Sequence, residues 1–398
     1  MYAMRGTSRL IGMGLAPLVA ALLAAGGADR ALAAEAAGEV VVGAALDLSG
    51  PGAAEGKEAR DALIVELDRA NRAGEGIAGR GIVLLVVDTG GRPQGAAEAI
   101  QTLAREREAA AVIGPAGIPE ARAAAREAGR RRIPLFTLTA PEELFDPPRP
   151  WVFSTAVPAS LGARAILSHM TAVGATRMAL LGAGDSQGAE GRSQLSALAP
   201  QAGISLLMNE AYRREEHNFL PFLHQARVRG VEVFVHWGGP AAQLALVRAR
   251  MALDLGIPVY FGTVLGSALD LKEAGRAAEG VVFPAARVAA AAILPPDVPG
   301  LREITEFREA FIRRHRRPPE GVAGFAADAF RLMVSAMRAA GPSRARIPKY
   351  LVDTRQYTGL TGRFDFSEAN HNGLGPDSLV MVRLKGGRWT LVTVPGER

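Results

Sequence analysis

The sharpest catalytic pattern in the chain is Gly184-Asp185-Ser186-Gln187-Gly188, a literal G-x-S-x-G. A nucleophile elbow needs such a Ser on a tight strand-to-helix turn, and Met178–Leu181 reads as the preceding strand. An acid and a His must then follow in chain order, and Asp365 and His371 could be recruited. The glycine-rich His236-Trp237-Gly238-Gly239 lies after the Ser, whereas the oxyanion loop of that enzyme class lies before it. A chain with 46 Gly also produces this five-residue pattern readily. The segment therefore reads as a loop leaving a strand, and the expectation is a protein that is not an enzyme.

Other chemistries fail on spacing or on residue type. Dinucleotide binding needs G-x-G-x-x-G, and Gly182-Ala183-Gly184 lacks the third Gly. There is no Walker motif. The six His (169, 217, 224, 236, 315 and 371) include no i,i+4 pair and no acidic cluster with metal-ligand spacing. The absence of Cys removes disulfides, thiolate metal sites, thiol nucleophiles and a lipid anchor on an acylated Cys. No cofactor and no metal are expected.

The formal charge of +6, from 46 Lys plus Arg against 40 Asp plus Glu in 398 residues, names no anionic partner. Part of it lies in the first 33 residues. There, Arg5 and Arg9 precede an apolar run from Leu10 to Ala28 and the site Ala31-Leu32-Ala33, the parts of a cleavable secretory signal peptide, with an uncleaved signal anchor as the alternative. The expected location is the periplasm. The basic runs Arg130–Arg132 and Arg313–Arg317 fall at or near helix C-termini, where they complement the helix dipole. They carry no interleaved aromatics, so no nucleic-acid partner is expected.

Behind these residues lies a strand-then-helix rhythm. Apolar runs at Val40–Leu46, Ile82–Val87, Ala111–Ile113 and Ile133–Leu138 alternate with helical spacing over Lys57–Ala73, Ala96–Glu108 and Glu120–Arg130. Runs buried on both faces between amphipathic helices predict βαβ units around a parallel sheet. After the Pro-rich stretch Asp146–Pro150 and a strand at Val152–Thr155 the rhythm repeats. Strands are expected at Arg177–Leu181, Ile204–Met208, Val231–His236, Pro258–Phe261 and Gly280–Pro284. Helices are expected at Leu161–Ala172, Arg192–Ala199, Phe219–Arg229, Ala241–Leu255 and Val322–Ala340, and two further strands at Leu379–Leu384 and Trp389–Val394. The fold class is α/β, with two Rossmann-like lobes.

The order of short motifs carries a resemblance. Ser49-Gly50-Pro51 leads into a helix ending Asn71-Arg72-Ala73-Gly74, and Gly76-Ile77-Ala78-Gly79 precedes a strand closing on Asp88. Val112-Ile113-Gly114-Pro115, Ile133-Pro134-Leu135, Pro141-Glu142-Glu143-Leu144, Ala278-Glu279-Gly280-Val281 and Tyr357-Thr358-Gly359-Leu360-Thr361-Gly362-Arg363-Phe364-Asp365-Phe366 follow. From about Glu39 to Val394 the chain resembles the type I periplasmic binding proteins of branched-chain amino acid ABC transporters. That resemblance implies two lobes joined by a three-crossover hinge, a small-molecule ligand, an ABC-transporter permease as partner and a monomer. It places lobe one at 39–155 plus 281–353, and lobe two at 156–280 plus 354–398. A sensory receptor acting through a membrane partner is the alternative use of the same scaffold.

The resemblance also implies site residues, and there the chain departs from its relatives. Hydroxyls after the Val-Ile-Gly strand hold a ligand carboxylate in amino-acid binders. Here that loop has none, which leaves the backbone N–H groups of Gly117 and Ile118. A hydroxyl after the Ile-Pro strand would come from Thr137 or Thr139. The acid expected for a ligand ammonium falls near Thr263-Val264, where the chain has no carboxylate, so an ordinary α-amino acid is not the expected ligand. Glu55, Gln187 and Trp237 stand near the positions of the aromatic walls. Each has a plain structural alternative: Glu55 a helix start, Thr139 a turn cap, Gln187 a surface loop, Trp237 the core.

Overall fold

The structure is a computed structural model, and it describes residues 2–4, 38–72, 76–213, 215–262 and 273–392. The apolar run and A-x-A site expected as a signal peptide lie outside the described residues. Contacts divide the chain into two units, residues 1–156 with 302–374, and residues 157–301 with 375–398.

The first unit begins with β1 (Tyr2–Met4), β2 (Val40–Leu46), α1 (Ala53–Arg72), β3 (Ile82–Asp88), α2 (Pro93–Arg105), β4 (Ala111–Ile113), α3 (Ile118–Arg131), β5 (Leu135–Thr137) and β6 (Val152–Ser154). Its sheet has the order β1-β3-β2-β4-β5-β6. All its pairs are parallel except β1 with β3, where Tyr2 faces Val86. Ala45, Val83, Leu85, Val112 and Leu135 pack against Ile100, Leu103, Ala121 and Ala124, so α2 and α3 cover one face. Strands β2, β3 and β4 are almost wholly apolar on both faces because both are covered.

The second unit opens with α4 (Ala159–Ala172), β7 (Arg177–Ala183), α5 (Ser186–Leu198), β8 (Ser205–Tyr212), α6 (Leu220–Val228), β9 (Val233–Trp237), α7 (Pro240–Ala252), β10 (Val259–Phe261) and β11 (Val282–Ala286). The chain then returns to the first unit through α8 (Leu301–His315), α9 (Gly321–Ala340), α10 (Arg346–Val352) and the small β12 (Tyr357–Thr358) and β13 (Arg363–Phe364) ladder. It finishes in the second unit with β14 (Leu379–Lys385) and β15 (Arg388–Leu391). The second sheet has the order β15-β14-β11-β10-β9-β7-β8. It is parallel from β8 to β11 and antiparallel at β14 and β15. Ile166, Met170, Leu180, Leu195, Val235 and Trp237 lie in its core.

The α/β class and the parallel-rich pair of sheets agree with the strand-then-helix reading. Two boundaries fall elsewhere. Residues 281–301, expected in lobe one, group with the second unit because β11 pairs in register with β10 and β14. Residues 354–374, expected in lobe two, group with the first. There the buried Asp328 carboxylate accepts the N–H groups of Leu360 and Thr361, each at 2.7 Å. The His371 ring also stacks on Phe153 at 4.4 Å. Helix α10 has no counterpart among the expected elements, and α8 was marked only by the basic run at its C-terminus, although its buried Ile304, Phe307 and Phe311 recur at helical spacing.

Candidate functional site

In open parallel sheets ligands bind beyond the strand C-termini, at the point where the strand order reverses. In the first unit the chain passes from β2 outward to β3 and then back across to β4, so the reversal lies between β2 and β4. Asp47, immediately after β2, is 6% exposed. Its two oxygens accept the N–H groups of Gly50 at 2.6 Å and Gly52 at 2.7 Å. This carboxylate folds the turn that launches α1, and a Cβ at Gly56 would collide with the Asp47 carbonyl oxygen. Next to it, Asp88 ends β3 and accepts the N–H groups of Leu48 and Gly90, both at 2.9 Å. Burial works against the Asp88 charge, but bonds from the Ser49 side chain and from these backbone groups outweigh it and hold the carboxyl below its ordinary value.

Beyond β4, Gly114 has φ +96° and enters a cis bond to Pro115. Gly117 then caps α3 in an extended conformation, with Ile118 and Pro119 in the first turn. The third helical residue is Glu120, 8% exposed. Its carboxylate folds back over the helix start, where a Cβ on Gly117 would run into it. Burial raises the Glu120 pKa above 4.5, its own N–H partly offsets this, and the Asp47 charge raises it further. A carboxylate of the protein itself therefore lies beside Gly117, one of the two residues whose amides are expected to receive a ligand carboxylate.

The other residues singled out in this unit divide by what they touch. Thr137 is fully buried, and its hydroxyl donates within 2.8 Å of the Thr139 carbonyl oxygen and 3.3 Å of that of Phe153. It ties β5 to the following loop and is not a free donor. Thr139 is half-buried and receives Ser154 Oγ on its carbonyl at 3.2 Å. Ile118 is buried at the start of α3, and Glu55 is exposed in the first turn of α1, where a carboxylate complements the dipole.

In the second unit the reversal lies between β7 and β9. Asp185 follows β7 and caps α5, accepting the Gly188 N–H at 2.9 Å. Gln187 is exposed on the first turn of that helix. Trp237 ends β9 and is 3% exposed. A Cβ at Gly191 or Gly262 would fall inside its indole, and one at Gly162 would meet its edge at 3.4 Å. The indole thus fills a glycine-lined slot in the core of the second unit. Beside it, His236 Nε2 and the Tyr212 hydroxyl are 2.9 Å apart. Burial lowers the His236 pKa to about 3, so the imidazole is neutral at every physiological pH. Thr263 and Val264 lie outside the described residues.

The G-x-S-x-G segment does sit at a strand-to-helix turn, with Ser186 opening α5. Its supposed partners do not form a relay. His371 Nδ1 is 3.0 Å from the carbonyl oxygens of Arg149 and Val152, while Asp365 Oδ1 accepts the Gln356 N–H at 2.7 Å. A His oriented by backbone carbonyls has no carboxylate to stabilise its protonated form. Among the described residues no group of three His, Asp or Glu is placed to hold a metal ion. Nor is any described helix long and apolar enough to cross a membrane.

Sequence reasoning missed the Asp47, Asp88 and Glu120 carboxylates. The signal for Glu120 was its position three residues beyond Gly117, where a Glu folds back onto a helix start. It reads as an ordinary helix residue until its burial is known.

Residues 39–388 match a family described as periplasmic binding protein. Among solved structures, an extracellular ligand-binding receptor from Rhodopseudomonas palustris HaA2 is similar at 21% identity and TM-score 0.78, over 89% of this chain and 99% of that one. A putative branched-chain amino acid ABC transporter from Rhodospirillum rubrum is similar at 22% identity and TM-score 0.71, over 89% and 100%. The substrate-binding protein LivJ from Streptococcus pneumoniae, solved in complex with isoleucine, is similar at 18% identity and TM-score 0.75, over 89% and 99%. No curated protein sequence gives a significant match.

Proposed function

Since the chain belongs to the periplasmic binding protein family, we propose that it captures a small organic solute outside the cytoplasm and delivers it to an ABC-type importer. The observation that carries this reading is the family match across 39–388, which takes in both units and all three passages of the chain between them. The solute would be held by residues beyond the strand C-termini of the two sheets, at their reversal points, with the units closing around it. Of the sequence-derived residues, Thr139 in the first unit and Gln187 in the second would contribute to that site, and the start of α3 at Gly117 and Ile118 would present the Glu120 carboxylate to it. Thr137 and Trp237 support them from the core.

The solute is not an ordinary α-amino acid in this reading, because the stretch around Thr263-Val264 supplies no carboxylate and the Glu120 carboxylate lies beside Gly117 at the α3 start. The protein would act as a free monomer in the periplasm and dock on a permease. Native mass spectrometry of protein purified from its own periplasm tests this. A non-covalent organic adduct that also raises Tm when added back is the expected result, because a ligand of the folded state stabilises by mass action. Absence of any adduct, with no shift across a broad metabolite panel, would overturn it.

A further inference from the structure

We propose that the solute presents a cationic, hydrogen-bond-donating head, an organic ammonium or amidinium, to the Glu120 carboxylate. This rests on the solute-capture reading and names its ligand class. Three carboxylates stand at or after the C-terminal ends of strands β2, β3 and β4 of the first sheet, and they are not equivalent. Asp47 is engaged by the Gly50 and Gly52 amides, and Asp88 by those of Leu48 and Gly90. Glu120 accepts its own N–H and keeps its remaining lone pairs, although its residue is more than nine-tenths buried. Among the described residues no Lys or Arg makes an ion pair with it.

The cations nearby are committed or peripheral. Arg122, on the same helix, pairs with Glu143. Arg92 is exposed at the start of α2, beside Gly90. On the negative side, Glu55 adds a further exposed carboxylate at the start of α1. A buried carboxylate beside a second one is poorly placed to remain charged alone and well placed to receive an opposite charge. A solute carboxylate brought to the α3 start would be repelled by Glu120, whose carboxylate lies beside Gly117. A donor cation would find there a buried carboxylate whose one hydrogen bond among the described residues comes from its own N–H, with Asp47 adding attraction. The usual benefit of a helix start for anions is thus already spent on the protein's own side chain.

The test uses the full secreted protein and two shape-matched probe pairs, isopentylamine with isovalerate and benzamidine with benzoate, together with a metabolite panel sorted by charge. Thermal shift and calorimetry should show binding of the cationic member of at least one pair, or of cationic panel members, and none of their anionic counterparts. Glu120→Gln should weaken that binding at least tenfold, and Glu120→Asp should weaken it less. Should Glu120→Gln fail to fold, the charge preference of the unaltered protein decides alone. Binding confined to anionic or neutral compounds, or a cation affinity unchanged within twofold in Glu120→Gln, overturns this inference and leaves solute capture standing. No binding by any compound overturns solute capture itself, and this inference with it.

Discussion

Replacing Arg331 by Met should destabilise the first unit through a single stranded charge. The Arg331 guanidinium reaches Glu66 in a two-point contact, Nη2 to Oε1 at 2.7 Å and Nε to Oε2 at 2.9 Å, with side-chain exposures of 9% and 1%. It joins α9 to α1, the two helices packed together in this unit. Burial opposes the guanidinium charge, but Glu66 and then Asp328 outweigh it and hold the pKa above its ordinary value. Burial also raises the Asp328 carboxyl, which draws on the same Arg. Removing one partner of a buried pair costs about 3–5 kcal/mol, because the other charge stays behind in low dielectric. Arg69, mostly exposed, keeps a 3.0 Å contact with Glu66 and recovers at most about 1 kcal/mol. The expected loss is therefore about 3 kcal/mol, a Tm drop of about 6–12 °C for a unit of this size. Urea and thermal unfolding followed by circular dichroism measure it, and the pair Arg331→Met with Glu66→Gln should lose less than Arg331→Met alone. A loss below about 1 kcal/mol, or a double variant no better than the single one, would refute the reasoning.

Glu120→Gln should stabilise the ligand-free protein at pH 7 and lose that advantage near pH 4. The folded pKa lies above 4.5, so the cost of keeping Glu120 charged is absent below about that pH and grows as pH rises through the folded value. Melting curves at the two pH values check it, and a larger gain at pH 4 than at pH 7 would contradict it. Gly191→Ala should cost about 1–3 kcal/mol by forcing a methyl into the Trp237 indole. Gly129→Ala, on an open helical position, should instead gain about 0.5–1 kcal/mol. Equal effects of the two on Tm would show that the slot is not tight. Thr137→Val should cost about 1 kcal/mol through its lost hydroxyl bond and leave solute affinity unchanged. A tenfold affinity loss with stability intact would make Thr137 a ligand contact after all.

Much of the architecture was legible because burial on both faces leaves runs such as Val40–Leu46 and Ile82–Asp88 almost free of polar residues. Interleaving was legible only through resemblance, and the passages at 301/302 and 374/375 were misplaced by about twenty residues. Nothing local distinguishes Val282–Ala286 as a strand of one sheet or the other, since register with β10 and β14 is a long-range property. The site was less legible still. Thr137 and Trp237 were chosen from the positions the resemblance implies, and both are buried. Glu120 went unnoticed because a Glu in the first turn of a helix is commonplace, and its meaning depends on Asp47, which lies far away in sequence.

The central claim is capture of a solute by closure of two units. Small-angle scattering of the purified protein, with and without the compound that raises its Tm most, tests it most directly. A smaller radius of gyration in the presence of that compound, saturating with one equivalent, is the predicted result. An unchanged radius at full saturation, for every compound that binds, would contradict it.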